Sequence, residues 1–591
     1  MTIAPPRPPR VERDHPAPAA PSTQLRRARV FTIVTLIAVL AFAGRLLQIQ
    51  VMDAGDLAER ALGQRLVTTK LVADRGRIVD ASGVVLADNV ERRNVTVDQT
   101  LVGEYSTGVE GAARDIAAIT GADPDKLQEN MTGDRVFAYV IKGVTPEQWR
   151  AIQKLGVPGM YSEPMSVRNY PAGPVAGNLL GFTNSEGVGA GGLESQLNSQ
   201  LAGQDGERMY ERGRSGQMIP TGENQQTAAV NGRDVELTIN RDLQWYAQQA
   251  ITAQVQATEA EWGSVVVLDV KTGDILALAE SPSVDPNNPG SSPAEDRGSR
   301  ALSDVFEPGS TSKVITAAAV LEEGLVTPTS RFTVPDTYEM PNGQSFRDSH
   351  PHPTEQRTFA GVLAESSNTG TVMAGAKLTK QQRYDYLRKF GLGSKSGLDF
   401  PGETGGILTT PDKWDGRQQY TVLFGQGVSL NALQSASVFA TIANDGVRMT
   451  PRLVKATEDE GGEMVPAPES TGTQVVSKKT AEQVQTMLES AVAEGTGGNA
   501  QIAGYRIAGK TGTAQAPDDR GGYSGYTGSF IGMAPAGDPE IVVGVTLQRP
   551  TNGYYGGTVA APVFRDVMTF ALQQRAIPPT QGDPTLYPLE Y

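Results

Sequence analysis

Hydrophobic positions are spread very unevenly along the chain. Val30 to Gly44, VFTIVTLIAVLAFAG, carries no charge, and beyond Arg45 the apolar character resumes in Leu46, Leu47, Ile49, Val51 and Met52. A helix over 30–52, rising about 1.5 Å per residue, is long enough for roughly 30 Å of hydrocarbon. Arg45 lies far enough along to extend its head group to the distal interface. The basic run Arg26-Arg27-Ala28-Arg29 precedes the span. By the positive-inside rule this places residues 1–29 in the cytoplasm and the rest of the chain outside, as a single-pass protein of the cell membrane. Ala41-Phe42-Ala43 also has the small-x-small form of a signal-peptide cleavage site. The Pro-rich leader and the apolar continuation past Arg45 favour an uncleaved anchor.

After the anchor the periodicities become short-ranged. Residues 53–205 mix alternating stretches such as Val95-Thr96-Val97 with polar helical patches and many glycines. Residues 206–232 are polar, Gly-rich and aperiodic, which predicts a linker or irregular extension. From Arg233 the signals strengthen. Residues 235–239 predict a strand and Arg241–Thr258 an amphipathic helix. SVVVLDV and DILALAE flank Lys271-Thr272-Gly273 as the two arms of a β-hairpin. Helices are predicted over 310–323, 431–445 and 480–494, and strands over 505–510, 527–534 and 540–548. The segment from Ile577 is Pro-rich and reads as extended chain. The expected architecture is α+β and multidomain: a tail (1–29), a transmembrane helix (30–52), an α/β pedestal module with linker (53–232) and a large domain (233–591). The last has a mainly antiparallel sheet flanked by helices.

Composition changes this picture chiefly by exclusion. The 591 residues contain no cysteine and only three histidines, His15, His350 and His352. Cysteine nucleophiles, disulfide frameworks and zinc sites with cysteine ligands are therefore absent. A Ser-His-Asp hydrolase could draw its base only from His350-Pro351-His352, and a metal site there lacks a partner cluster. No metal or other cofactor is expected. Net charge is −14, yet residues 1–29 hold six arginines against Glu12 and Asp14, so the acidity belongs to the remainder. An acidic body argues against a nucleic-acid partner. A nucleophilic catalyst in this chain points to lysine as its base.

Three motifs in the large domain supply that chemistry. Glu307-Pro308-Gly309 leads into Ser310-Thr311-Ser312-Lys313 and then an Ala-rich run ending at Gly324, which marks a helix start and stop. Ser310 falls in the first turn, and Lys313, three residues on, lies on the same face. Ser366-Ser367-Asn368 offers a hydroxyl and an amide in a short loop between helices. Lys510-Thr511-Gly512-Thr513 follows YRIAG, and on an edge strand Gly512 would let a substrate backbone approach. The other Lys-Thr-Gly, at 271–273, joins two apolar strands and is assigned to a turn. Ser366 lies 56 residues after Ser310, and Lys510 lies 144 after Ser366. The ordered set S-x-x-K, S-x-N, K-T-G is shared by penicillin-binding proteins and β-lactamases.

The chain resembles the class B penicillin-binding proteins, in particular FtsI-like peptidoglycan D,D-transpeptidases, over almost its whole length. Arg45 to Val51 is similar to the family's anchor exit. Arg75-Gly76-Arg77-Ile78-Val79-Asp80, Arg168-Asn169-Tyr170-Pro171 and Gly189 to Glu194 are similar to its N-terminal-module motifs. Asp285-Pro286-Asn287 and Ala561-Pro562-Val563-Phe564 also fit, while Ser312 stands where an aromatic is usual and Asn240 where an aspartate is. Arg75, Asp80, Arg168 and Glu194 read as an ion-pair network of the smaller module.

The resemblance implies catalytic roles for Ser310, Lys313, Ser366, Asn368 and Lys510, and substrate binding by Thr511, Gly512 and Thr513. Ser310 would attack the penultimate D-Ala of a donor stem peptide. Lys313, held neutral by Lys510 and partial burial, would be its base. Backbone N–H groups of Ser310 and Thr513 would form the oxyanion hole. It also implies β-lactams as mimics of D-Ala-D-Ala, and an FtsW-like lipid II polymerase with divisome proteins as partners. Septal wall synthesis is the favoured role. An elongation-type enzyme, a D,D-carboxypeptidase, and a catalytically silent β-lactam sensor or division scaffold are the alternatives.

Overall fold

The computed structural model describes residue 2 and residues 22–213, 218–518, 520–580, 582–584 and 586–591. Most of the basic leader, including His15, lies outside these residues. Contacts divide the chain into two units, 1–71 with 206–228, and 72–205 with 229–591.

In the first unit a helix runs from Ser22 to Leu47 and continues as one wider turn, Gln48–Met52. The stretch Gln24–Met52 is long and apolar enough to cross a membrane. Its apolar side chains, from Val30 to Met52, are exposed, and such a surface requires lipid or protein to cover it. After a helix at Ala54–Arg65, Leu66–Leu71 pairs antiparallel with Gly206–Glu211, which pairs with Asn224–Thr227. The irregular linker expected over 206–232 is therefore corrected in part: Gly206–Glu211 and Asn224–Thr227 are strands. Its charged and amide side chains masked the pattern, because no apolar face had to be buried there.

The second unit centres on a five-stranded antiparallel sheet. Its strands are β1 (Trp262–Asp269), β2 (Ile275–Ser281), β3 (Ala508–Pro517), β4 (Tyr523–Ala534) and β5 (Ile541–Gln548), in the order β2-β1-β5-β4-β3. Every residue of β1 and β5 is buried. Alternate side chains feed two cores. Val265 and Val267 join Leu243, Ile251, Phe564 and Val567 from helices α1 (Arg241–Thr258) and α7 (Ala561–Gln574). Val266 and Leu268 face the opposite core, built from α2 (Lys313–Glu322), α3 (Phe359–Ala364), α4 (Asn368–Gly375), α5 (Ala432–Ala443) and α6 (Lys478–Ala493). Full burial of both faces explains why these strands are continuous apolar runs. The Asn240 side chain accepts from Asp242 N and Leu243 N and so caps α1.

A second sheet joins both sides of residue 232. Ile78–Val79 runs parallel to Val235–Leu237 and antiparallel to Val85–Val97, and Val235–Leu237 pairs with Val454–Glu458. The expected boundary at 232/233 is thus not a break in packing. Beside this sheet Glu194, fully buried, receives Arg75 Nε and Arg168 Nε, each at 2.6 Å. Tyr170 adds its hydroxyl at 3.3 Å. Asp80, expected in this network, is elsewhere: it accepts from Ser82 N, Val84 N and Arg241 N, fixing a turn to the start of α1. Removing the charge of Glu194 leaves two buried guanidinium groups without their counter-ion. Glu194→Gln is expected to lower the unfolding free energy by about 3–5 kcal/mol, read from the midpoint of denaturant unfolding.

Candidate active site

The nucleophile motif is set by tight backbone geometry. Gly309–Ser312 forms a 3₁₀ turn that runs directly into α2, and Gly309 N donates to Gly425 O at 3.0 Å. Glu307, just upstream, accepts from Gly427 N at 2.8 Å and ties the same turn to the neighbouring loop. Ser310 opens onto a cleft of about 780 Å³, also lined by Ser366, Asn368, Thr511 and Thr513. Lys313 and Lys510 lie beneath that surface, 1% and 0% exposed.

Lys313 Nζ donates to the Ser366 carbonyl at 2.5 Å and the Ser366 hydroxyl at 3.3 Å. Among the described residues its hydrogen bonds go to Ser366 and not to Ser310, which the helical spacing had placed beside it. Burial pushes the Lys313 amine down to about 7, opposed by the attraction of Asp348. Complete desolvation is the leading cause. Lys510 is also held well below its ordinary value, by burial and then by the charge of Lys313. Two ammonium groups cannot share this interior, so at least one is readily neutral.

Ser366 sits in the loop between α3 and α4 with φ of 64°, a left-handed conformation uncommon for a residue with a side chain. Asp348 holds that loop. Its carboxylate accepts from Asn368 N, from Thr369 N at 2.9 Å and from Ser367 Oγ at 2.7 Å, with His352 Nε2 at 3.1 Å. The Asn368 amide donates to Arg347 O at 3.1 Å. Neither Asp348 nor Arg347 stood out in the sequence. The only hint was the polar run ending at His350 and His352, and both histidines line the cleft. Among the described residues no group of three or more acidic, histidine or cysteine side chains could hold a metal.

Strand β3 is the sheet edge, with Gly512 opposite Ser529 and Thr513 opposite Gly528. A side chain on Gly512 would meet Ser529 Oγ at 2.3 Å, Thr311 Cγ2 at 3.0 Å and Pro308 O at 3.1 Å. The glycine therefore makes room for the nucleophile turn. Lys510 Nζ donates to Thr511 Oγ1 at 3.2 Å and Thr496 Oγ1 at 3.4 Å. Thr513 Oγ1 accepts from Gly556 N at 3.1 Å. The other Lys-Thr-Gly closes the β1–β2 hairpin, where Asp269 accepts from Lys271 N and Thr272 N. Across the cleft Tyr526, Tyr554 and Tyr555 form a stacked wall with centroid separations of 4.4 Å.

Residues 263–569 match the model of the penicillin-binding protein transpeptidase domain, and residues 70–237 that of the penicillin-binding protein dimerisation domain. The chain belongs to the penicillin-binding protein family. Among its relatives is penicillin-binding protein PbpB of Mycolicibacterium smegmatis, 35% identical over 93% of this chain and 91% of the relative. Another is peptidoglycan D,D-transpeptidase FtsI of Escherichia coli K12, 34% identical over 93% and 92%. The crystal structure of Mycobacterium tuberculosis penicillin-binding protein 3 complexed with aztreonam superposes with a TM-score of 0.69. It is 31% identical and covers 88% of this chain and 100% of that one.

A penicillin-binding protein that buries its lysines this way gives up stability for basicity. The unfolded chain binds the Lys313 proton up to about its ordinary 10.5, the folded one only to about 7. Stability therefore rises with pH across that window. Lys313→Met is expected to raise the unfolding free energy at pH 7, by roughly 4–5 kcal/mol at about 1.4 kcal/mol per tenfold in proton affinity. It is also expected to flatten the rise with pH, measured by denaturant titration between pH 7 and 10.

Proposed function

We propose that this penicillin-binding protein is a membrane-anchored serine D,D-transpeptidase that cross-links peptidoglycan stem peptides through an acyl-enzyme on Ser310. The supporting observation is the buried Lys313 amine, depressed to about 7 and bonded to Ser366, behind a serine that opens into the cleft. Neutral Lys313 takes the Ser310 proton as Ser310 Oγ bonds to the penultimate D-Ala carbonyl carbon of a donor stem peptide. Backbone N–H groups of Ser310 and Thr513 receive the developing oxyanion. As the C–N bond breaks, Ser366 relays the proton from Lys313 to the departing D-Ala amine, and Asn368 holds the substrate amide. Thr511 and Thr513 bind the terminal carboxylate. Its negative charge favours the protonated form of Lys510 that burial alone disfavours. The acceptor amine of a neighbouring stem peptide then attacks the ester, forms the cross-link and restores Ser310. A β-lactam, as a mimic of D-Ala-D-Ala, acylates the same oxygen.

Four segments serve this reading: the cytoplasmic tail 1–29, the anchor 30–52, the pedestal 53–232 and the transpeptidase domain 233–591. The basic flank at Arg26, Arg27 and Arg29 orients the anchor so that the catalytic domain is extracytoplasmic. The exposed apolar face of that helix suits contact with lipid and with a polytopic lipid II polymerase of the FtsW type in the divisome. Similarity to an FtsI over almost the whole chain supports a septal role.

Ser310→Ala is expected to abolish the covalent adduct with labelled penicillin. Wild-type acylation is expected to rise with pH through about 7, as Lys313 loses its proton. An adduct on the alanine variant would refute the Ser310 assignment. With a donor thioester the enzyme is expected to join acyl groups to an added amine, whereas hydrolysis alone would make it a carboxypeptidase. A fluorescent fusion is expected at midcell, and a side-wall signal would exclude the septal role.

A further inference from the structure

The segment 586–591, which the catalytic reading does not use, is laid against the wall of the cleft. Glu590 pairs antiparallel with Arg357 in the strand Glu355–Thr358, and Leu589 O accepts from Thr358 N at 3.0 Å. Thr358 Oγ1 donates to Pro588 O and accepts from Gly361 N at 3.0 Å, so one hydroxyl both grips the segment and caps α3. Tyr587 and Leu589 pack on the main core, and the Tyr591 ring lies 4.8 Å from the Arg331 guanidinium. Gly361 is the fitting point. A side chain there would stand 2.0 Å from Leu589 O.

What this segment grips leads directly to the reacting groups. Arg357 and Glu365 both line the cleft, and Arg357 bonds to Glu590 and Glu355 at 3.0 Å and reaches Glu365 at 4.0 Å. Helix α3 ends in the Glu365-Ser366-Ser367 loop, and its last carbonyl, Ala364 O, accepts from Thr496 N at 3.4 Å. Ser366 is bonded to Lys313, and Thr496 to Lys510. Glu590 is 72% exposed, so its ion pair adds little. The backbone pairing and the half-buried Leu589 contact carry the grip.

We propose that residues 586–591 are a positioning strap for the active site: paired with Glu355–Thr358, they hold α3 in place and thereby set Ser366 against Lys313 and Thr496 against Lys510. The strap touches neither substrate nor reacting atoms and acts only through α3. The proposal rests on the Ser310 acyl-enzyme reading.

Acylation of the full-length, detergent-solubilised protein by labelled penicillin, followed by stopped flow, separates the half-saturating concentration from the saturating rate. Removing residues 586–591 is expected to lower the saturating rate on the order of tenfold to a hundredfold, as misplacement of catalytic groups does, with little change in half-saturation. Gly361→Ala, which favours the helix intrinsically, is expected to do the same by expelling Leu589. Combined with the deletion it should cost nothing more, because the alanine acts only against that carbonyl. Wild-type rates in either single variant, or full additivity in the double, would overturn the strap. If the deletion variant does not fold, Gly361→Ala alone decides between these outcomes. A wild-type protein that forms no adduct would instead condemn the Ser310 reading.

Discussion

Two lysine amines end in one interior that solvates neither of them, and the architecture around the cleft serves to hold them there. Lys313 arrives on a helix buried from Lys313 to Leu321 and Lys510 on the edge strand of the central sheet. Each alone is costly to bury, and charging both would be costlier still. The large two-sided core supplies the cohesion that makes this tolerable. The hydroxyls of Thr496 and Thr511 and the carbonyl of Ser366 provide the few partners present. Basicity at neutral pH is in this sense a property of packing.

Interlocking surfaces transmit that packing to the nucleophile. The turn bearing Ser310 presses into the space left by Gly512, and Glu307 ties the same turn to Gly427. The Ser366 loop is hung from Asp348, a carboxylate that also offsets part of the burial cost at Lys313. Every group the chemistry uses is thus fixed by a neighbour on a different element.

Much of this is legible in the sequence. β1 is a Val-rich run and β2 an Ile-Leu-Ala run around a Lys-Thr-Gly turn, so their hairpin is legible in the sequence. Helix α1 matched its predicted span residue for residue because Asn240 caps one end and its apolar face is regular. Strand β3 extends from Ala508 to Pro517, well beyond the expected 505–510. Its polar, glycine-bearing end carries no apolar alternation to mark its length, and pairing with β4 extends the strand to Pro517. The strands at Gly206–Glu211 and Asn224–Thr227 were invisible for the same reason. In the site, the order of the three motifs pointed to residues that the fold brings to one cleft. Asp348 stayed hidden, because a buried carboxylate that binds backbone N–H groups about twenty residues away leaves no local pattern. Helical spacing brings Ser310 near Lys313, while the Ser366 loop, distant in sequence, takes the hydrogen bonds of the amine.

The sheet shared across residue 232 has a consequence for synthesis. Ile78–Val79 closes against Val235–Leu237, which in turn needs Val454–Glu458 as its neighbour. At translation rates of about 5–20 residues per second, the first strand waits roughly twenty to eighty seconds for the last. Until the last strand arrives, the outer edge of Val235–Leu237 is unpaired and open to proteases and to other chains. Biogenesis of this protein therefore depends on whatever shields an incomplete sheet until some four-fifths of the chain has emerged.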